Sequence, residues 1–292
     1  MPSADTAYRG RFAPSPTGPL HQGSLVAALA SYLEARRAGG TWLVRMEDLD
    51  PPREQPGAAD AILRSLEAHG LYWDEPVLWQ SQRSAAYLAA LNQLQAQGHL
   101  FACSCSRART DSAGNCCGDC REQTPPPPVA LRVPVAPQFA AQWQDRWQGP
   151  QHWPIGRALQ DFVVRRKDQL FAYQLAVVVD DAEQRISHIV RGSDLLDSTP
   201  RQLWLQSLLH VPQPHYGHLP VLTNRQGQKL SKQNHAPALD DGRATHNLRS
   251  ALDALGQPPP PPDCASVTEL LAAACRHWDA TRVPAGLTLA PR

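Results

Sequence analysis

Residues Arg11–Leu33 read RFAPSPTGPLHQGSLVAALASYL: a short strand-like segment, a turn rich in Pro and Gly, a single histidine, then an amphipathic helix. Leu25, Ala28, Leu29, Tyr32 and Leu33 recur at i, i+3, i+4, i+7 and i+8, the pattern of one buried helix face. Arg36 and Arg37 suit the last turn, and Gly39-Gly40 supplies the stop. His21, Gly23 and Ser24 then stand at the helix N-terminus, where free backbone N–H groups and the helix dipole favour anions. Alone, such a histidine is more often an ordinary surface residue in a strand-to-helix connection.

Outward from this stretch, TWLVRMED (Thr41–Asp48) reads as a second strand, followed by helices at Gly57–Ala68 and Ser84–Gln97. Strand, helix, strand, helix predicts a parallel α/β sheet. The rhythm fails from Phe101 to about Trp153. It returns with strands expected at Asp161–Arg166 and Tyr173–Asp180 and a helix at Arg201–His210. Asp180-Asp181 is expected to end a strand in a turn rather than to hold a metal. The picture is an α/β domain interrupted by an insert. A length of 292 residues suits one large or two modest domains. Hydrophobic content of 42% and net charge +1 suit a soluble globular protein and neither suggest nor exclude nucleic acid. The N-terminal residues lack an apolar signal core and no run approaches the roughly 18 apolar residues of a membrane span. A cytoplasmic protein with no membrane partner is expected. Tracts Pro125–Pro128 and Pro258–Pro262 read as extended spacers.

Five of the seven cysteines fall in CSCSRARTDSAGNCCGDC, at Cys103, Cys105, Cys116, Cys117 and Cys120. Two close thiol pairs across a Gly/Asn/Asp loop can close a tetrahedral zinc site, and reducing conditions favour this over disulfides. Cys116 and Cys117 compete for one position. Further on, GQKLSKQ (Gly227–Gln233) offers two lysines three apart, point charges for phosphates that move during a reaction.

HQGS and KLSKQ together resemble the two signatures of class I aminoacyl-tRNA synthetases, with Ser24 in place of a second histidine and Leu230 in place of methionine. RFAPSPTGPLHQGS, YQLAVVVDDAEQRISHIVRGSDLLDSTPRQ and HLPVLTNRQGQKLSK narrow the likeness to the glutamyl branch, over about Arg11 to Lys232. Only residues 233–292 follow Lys232, which leaves no room for the helical anticodon-reading domain of that branch. The chain is therefore similar to the truncated paralogues that attach glutamate to the queuosine base in the anticodon of tRNA(Asp).

The resemblance implies a Rossmann-type parallel-sheet catalytic domain in two halves, residues 1–100 and 161–235. It also implies a zinc-binding insert at 101–160 and a short C-terminal segment at 236–292. It implies ATP-dependent, tRNA-independent activation of L-glutamate to the adenylate, then transfer to queuosine-containing tRNA(Asp), with Mg2+ accompanying ATP and one structural Zn2+. His21 and Lys232 would be catalytic, and His21, Gly23, Ser24, Lys229, Ser231 and Lys232 would hold ATP. Arg11, Phe12, Ala13, Pro14, Ser15, Glu47, Tyr173 and Arg191 would form the glutamate pocket. The arginine forks would meet carboxylates and Glu47 the ammonium. Cys103, Cys105, Cys116 and Cys120 would be the zinc ligands. Arginines around Arg165 and Arg191 are expected to hold loop phosphates, and a monomer is expected. Two competing readings are a shortened glutamyl-tRNA synthetase charging a tRNA 3′ end and an inactive tRNA-binding paralogue.

Overall fold

The computed structural model describes residues 7–224, 227, 229 and 237–289. The chain opens with β1 (Arg9–Phe12), α1 (Gln22–Arg37) and β2 (Thr41–Met46), then α2 (Ala58–Ala68), β3 (Leu78–Trp79) and α3 (Ser84–Ala96). Strands β1, β2 and β3 are parallel, with Arg11 opposite Leu43 and Arg45 opposite Leu78. Helix α1 is buried along most of its length because it packs on this sheet and beneath the C-terminal helices. It ends after Arg37, where Gly39 at φ 63° makes the left-handed turn the sequence pattern predicts.

The insert carries β4 (Phe101–Cys103), α4 (Asp119–Glu122), β5 (Ala130–Pro134), β6 (Ala141–Asp145), β7 (Gly149–Trp153) and α5 (Ile155–Ala158), and leads into β8 (Asp161–Arg165). Strands β4, β5 and β8 form an antiparallel sheet of their own. Strands β6 and β7 instead join the far edge of a sheet ordered β7-β6-β10-β9, where β9 is His188–Gly192 and β10 is His215–Leu219. Between β8 and β9 lies α6 (Tyr173–Glu183), and α7 (Thr199–Leu209) precedes β10.

Helix α6 corrects the strand expected at Tyr173–Asp180. Leu175 to Val178 are all buried, so their apolar run carries no 3.6-residue rhythm, and β-branched residues then mimic a strand. Asp180 and Asp181 are accordingly not in a turn. Asp180 is buried on Gln80 (2.8 Å), Tyr87 (2.7 Å) and Arg83 (3.1 Å).

The parallel sheet β1-β2-β3 and the mixed sheet β7-β6-β10-β9 meet at β1 and β9: Ser187 N–H donates to the Arg9 carbonyl (3.0 Å) and Arg9 N–H to the Ser187 hydroxyl (2.8 Å). The spatial progression β3-β2-β1-β9-β10 is that of a doubly wound sheet, and its direction reverses between β1 and β9. Ligands bind at that reversal, outside the carboxyl ends of the strands.

After the lysine segment come α8 (Ala244–Ala254), α9 (Val267–His277) and β12 (Thr288–Leu289), which pairs with β11 (Val221–Leu222). The second proline tract is not a free spacer. Arg249 donates to the carbonyls of Pro260 (3.0 Å), Pro261 (3.2 Å) and Cys264 (2.9 Å), folding the tract against α8 and α9. No helix among the described residues is long and apolar enough to cross a membrane.

Candidate active site

A cavity of about 150 Å³ opens at the reversal point, lined by Arg11, Phe12, Ala13, Glu47, Tyr173 and Arg191. It adjoins a wider one of about 470 Å³ that Ser15 also lines. Pro14 accepts the Glu47 N–H on its carbonyl (2.9 Å), tying the exits of β1 and β2 together. The fold thus gathers the residues expected to hold glutamate.

Their electrostatics differ sharply. Arg11 spends Nε on Asp181 Oδ1 (3.1 Å), and Arg45 Nη1 meets the same oxygen (2.8 Å), all three side chains nearly fully buried. Burial pushes the Asp181 carboxyl up, but Arg11 and Arg45 hold it below the usual carboxylate range. Arg191 is 5% exposed and meets neutral acceptors instead. Its Nε donates to His218 Nε2 (3.0 Å), Nη1 to Tyr173 Oη (3.3 Å), and Nη2 to Thr199 Oγ1 (2.7 Å) and Gln202 Oε1 (2.9 Å). Among the described residues no carboxylate pairs with it. A buried cation without a counter-ion is an anion receptor. Arg191 thus lines the small cavity, and Arg165, the other arginine expected near loop phosphates, lies over the Phe171 ring (5.6 Å).

Glu47 supplies the opposite sign. Its side chain is 10% exposed, and Oε1, 3.6 Å from Arg45 Nη2, accepts no hydrogen bond from the described residues. Burial raises its pKa to about 7; Arg45 and Arg11 oppose the rise and Asp181 and Asp180 add to it. A substrate ammonium would satisfy this oxygen and restore the charged form.

A second cavity, of about 160 Å³, is lined by His21, Gly23, Ser24, Gly192, Asp194 and Lys229. His21 caps α1, its Nδ1 accepting the Ser24 N–H (3.3 Å), so the first turn of the helix faces the cavity. Lys229 crosses to Asp194 (2.6 Å). His21 also bridges Ala238, which brings the chain after the lysine segment back beside the helix start. Ser231 and Lys232 lie outside the described residues. Gly192 lines both cavities, and a Cβ there would come within 2.4 Å of Asp194 Oδ1, so a side chain at this position would push the Asp194 carboxylate aside.

In the insert, the ligand atoms of Cys103, Cys105, Cys116 and Cys120 lie within 4.8 Å of one another, and all four are buried. Cys117 is exposed, although its sulfur is 3.3 Å from that of Cys105. Burial favours Cys116 as the ligand, since a site that excludes water strengthens metal–thiolate attraction. Asp161 on β8 anchors the knot by accepting the Cys116 N–H (3.1 Å), and Arg132 and Arg121 pair with it. Burial pushes the Cys116 thiol up to about 11. Burial likewise opposes Cys120, yet the Ser104 N–H and neighbouring thiols bring it down to about 7. Four buried thiols with their sulfurs this close together fit a divalent cation that displaces their protons.

Sequence reasoning missed Asp145, His218, Arg45, Asp181, Gly192 and Asp194. Asp145 and His218 are 73 positions apart, so no local spacing could have paired them.

This fold and pocket define a class I aminoacyl-tRNA synthetase core. The family described as tRNA synthetases class I (E and Q), catalytic domain, matches residues 7–114 and 120–252. A glutamyl-Q tRNA(Asp) synthetase of Thiobacillus denitrificans is 55% identical over 284 residues, covering 94% of each chain. One from Ectopseudomonas mendocina is 53% identical over 98% of each. A solved glutamate-tRNA synthetase of Elizabethkingia anophelis shares the fold with a TM-score of 0.80 at 23% identity, over 97% of this chain and 68% of that one. The chain belongs to the class I glutamyl and glutaminyl synthetase family and, within it, to the glutamyl-Q tRNA(Asp) synthetases.

Proposed function

We propose that the protein activates L-glutamate with ATP, without needing tRNA, and transfers the glutamyl group to queuosine in the anticodon of tRNA(Asp). The observation that carries this reading is the pairing of Arg191 with Glu47 across one cavity, an uncompensated cation facing an unsatisfied carboxylate. An amino acid satisfies both, its ammonium on Glu47 and a carboxylate on Arg191. In the first step the glutamate α-carboxylate attacks the ATP α-phosphorus, the bond to the β-phosphate breaks, and pyrophosphate leaves. Positioning and charge stabilisation do this work. The first turn of α1 with His21 would meet the phosphates. Lys229 and Lys232 would follow the leaving pyrophosphate, and Mg2+ would neutralise its charge. Arg11, Phe12, Ala13, Pro14 and Ser15 would shape the amino-acid side of the pocket, and Tyr173 would fix Arg191.

In the second step a hydroxyl of the queuosine cyclopentene diol attacks the acyl carbon and AMP leaves. The RNA would approach over the insert. A cavity of about 860 Å³ there is lined by Arg53, Arg107, Arg166, Lys167 and Arg201 and opens toward the glutamate site through Asp50, Arg53 and Arg166. Positive charge beside the reaction centre suits a phosphate backbone. The four buried cysteines would hold one structural Zn2+ and fix this wall. The protein would act as a monomer in the cytoplasm, where its close thiols stay reduced.

The test is pyrophosphate exchange with glutamate and no tRNA, followed by transfer to tRNA(Asp) with and without queuosine. Exchange without tRNA and a base-labile glutamyl bond only on queuosine-containing tRNA are expected. Equal charging of queuosine-free tRNA(Glu) would replace this reading with a shortened glutamyl-tRNA synthetase.

A further inference from the structure

Arg191 is held in place by a buried relay that begins in the insert. Strands β9 and β10 run parallel with Arg191 opposite His218, so the two side chains stand side by side on one face. Strand β6 lies on the other side of β10 and ends at Asp145. Asp145 and His218 are fully buried.

Asp145 Oδ1 accepts three backbone N–H groups, from His218 (3.0 Å), Gln148 (3.1 Å) and Trp147 (3.2 Å). Oδ2 accepts from His218 Nδ1 at 2.5 Å, with the Trp143 indole N–H donating to the same oxygen at 3.4 Å. A carboxylate held ionised by three N–H donors is an acceptor only, so the imidazole proton sits on Nδ1. Nε2 is then a bare lone pair, and it receives Arg191 Nε–H at 3.0 Å, with the Thr199 hydroxyl 3.2 Å away. Burial, opposed by Asp145 and reinforced by Arg191, keeps the pKa of His218 below its ordinary value. A neutral histidine holds the guanidinium without cancelling its charge. An acidic residue at that place would neutralise Arg191 as Asp181 neutralises Arg11.

We propose that Asp145 and His218 are positioning residues for the amino-acid substrate: Asp145 fixes the His218 tautomer, and His218 Nε2 sets the plane in which Arg191 meets a carboxylate. The proposal rests on the glutamate-binding reading of Arg191. It ties the insert, through β6, to selection of the amino acid.

Asp145→Asn tests it. The asparagine oxygen can keep the three backbone N–H groups while its NH2 faces Nδ1, which moves the imidazole proton to Nε2, against Arg191 Nε–H. The KM for glutamate in pyrophosphate exchange should rise about 10- to 100-fold, the scale of a hydrogen bond to a charged group, with the KM for ATP unchanged. His218→Gln restores a donor toward Asp145 and an acceptor toward Arg191 and should stay within about threefold of the parent protein. Imidazole 15N spectra should show Nε2 unprotonated in the parent and protonated in Asp145→Asn. An unchanged glutamate KM in Asp145→Asn, equal rises for glutamate and ATP, a His218→Gln variant as impaired as His218→Phe, or a parent spectrum with Nδ1 unprotonated would each overturn it. Absence of any glutamate-dependent exchange in the parent protein would instead remove the glutamate reading, while the 15N spectra would still decide the tautomer.

Discussion

Two buried arginines stand on neighbouring strands, Arg11 on β1 and Arg191 on β9, and they are treated in opposite ways. Arg11 shares Asp181 with Arg45 in a closed charge cluster, whereas Arg191 rests on a histidine, a tyrosine, a threonine and a glutamine. The first arrangement commits the Arg11 guanidinium to a carboxylate of the fold itself. The second orients a cation and leaves its charge for a ligand. Burial alone does not separate them, since both side chains are almost fully covered. The identity of the partner does.

The contrast can be broken by experiment. Arg191→Lys keeps the charge but loses the fork, so kcat/KM for glutamate should fall by roughly 10²–10³-fold with little change in the KM for ATP. Asp181→Asn should act on the other axis, lowering unfolding free energy by roughly 3–5 kcal/mol in urea titrations because two buried guanidinium groups lose their partner. If Asp181→Asn is as stable as the parent, or Arg191→Lys binds glutamate normally, the division between a structural and a receptive arginine fails. Lys232→Ala should slow activation by roughly 10²-fold, the cost of one charge-stabilising group, read as the single-turnover rate of adenylate formation.

Glu47 sharpens the contrast from the acidic side. Folding raises its pKa to about 7, so kcat/KM for glutamate should fall about tenfold per pH unit below that value and level off above it. Stability should move the other way. The folded state binds this proton more tightly than the unfolded chain, so the burden of the buried charge is full above about 7 and is relieved as pH falls toward the ordinary carboxylate range. Glu47→Gln should therefore raise the melting temperature at pH 8 while abolishing the activity profile. A glutamate kcat/KM that is flat between pH 6 and 8 would exclude Glu47 as the ammonium receptor.

The smallest effect is expected at Cys117. Cys103→Ser and Cys120→Ser should lose the bound metal and loosen the insert, whereas Cys117→Ser should keep about one zinc per chain by elemental analysis. Metal loss in Cys117→Ser with retention in Cys116→Ser would reverse the choice that burial makes between these neighbours.

Local chemistry wrote much of this protein into its sequence. The turn from β1 into α1, the histidine at the helix start and the knot of thiols are short-range patterns, and each depends on neighbours within a few residues. The family likeness extended that reading to Glu47, Tyr173 and Arg191. What residue spacing could not carry was the environment of each charge. Helix α6 read as a strand because burial on every side erases helical periodicity, and with it went the position of Asp181. That Arg11 meets an acid follows from α6 laying Asp181 beside β1, and that Arg191 meets a neutral imidazole follows from the register of β9 on β10 and from β6 closing the same sheet. Those contacts join residues 170, 27 and 73 positions apart. The sequence by itself determined which groups carry charge; only the tertiary structure decided which charges are cancelled, because the strength and fate of a buried charge depend on the partners that the packed sheet brings within hydrogen-bond reach.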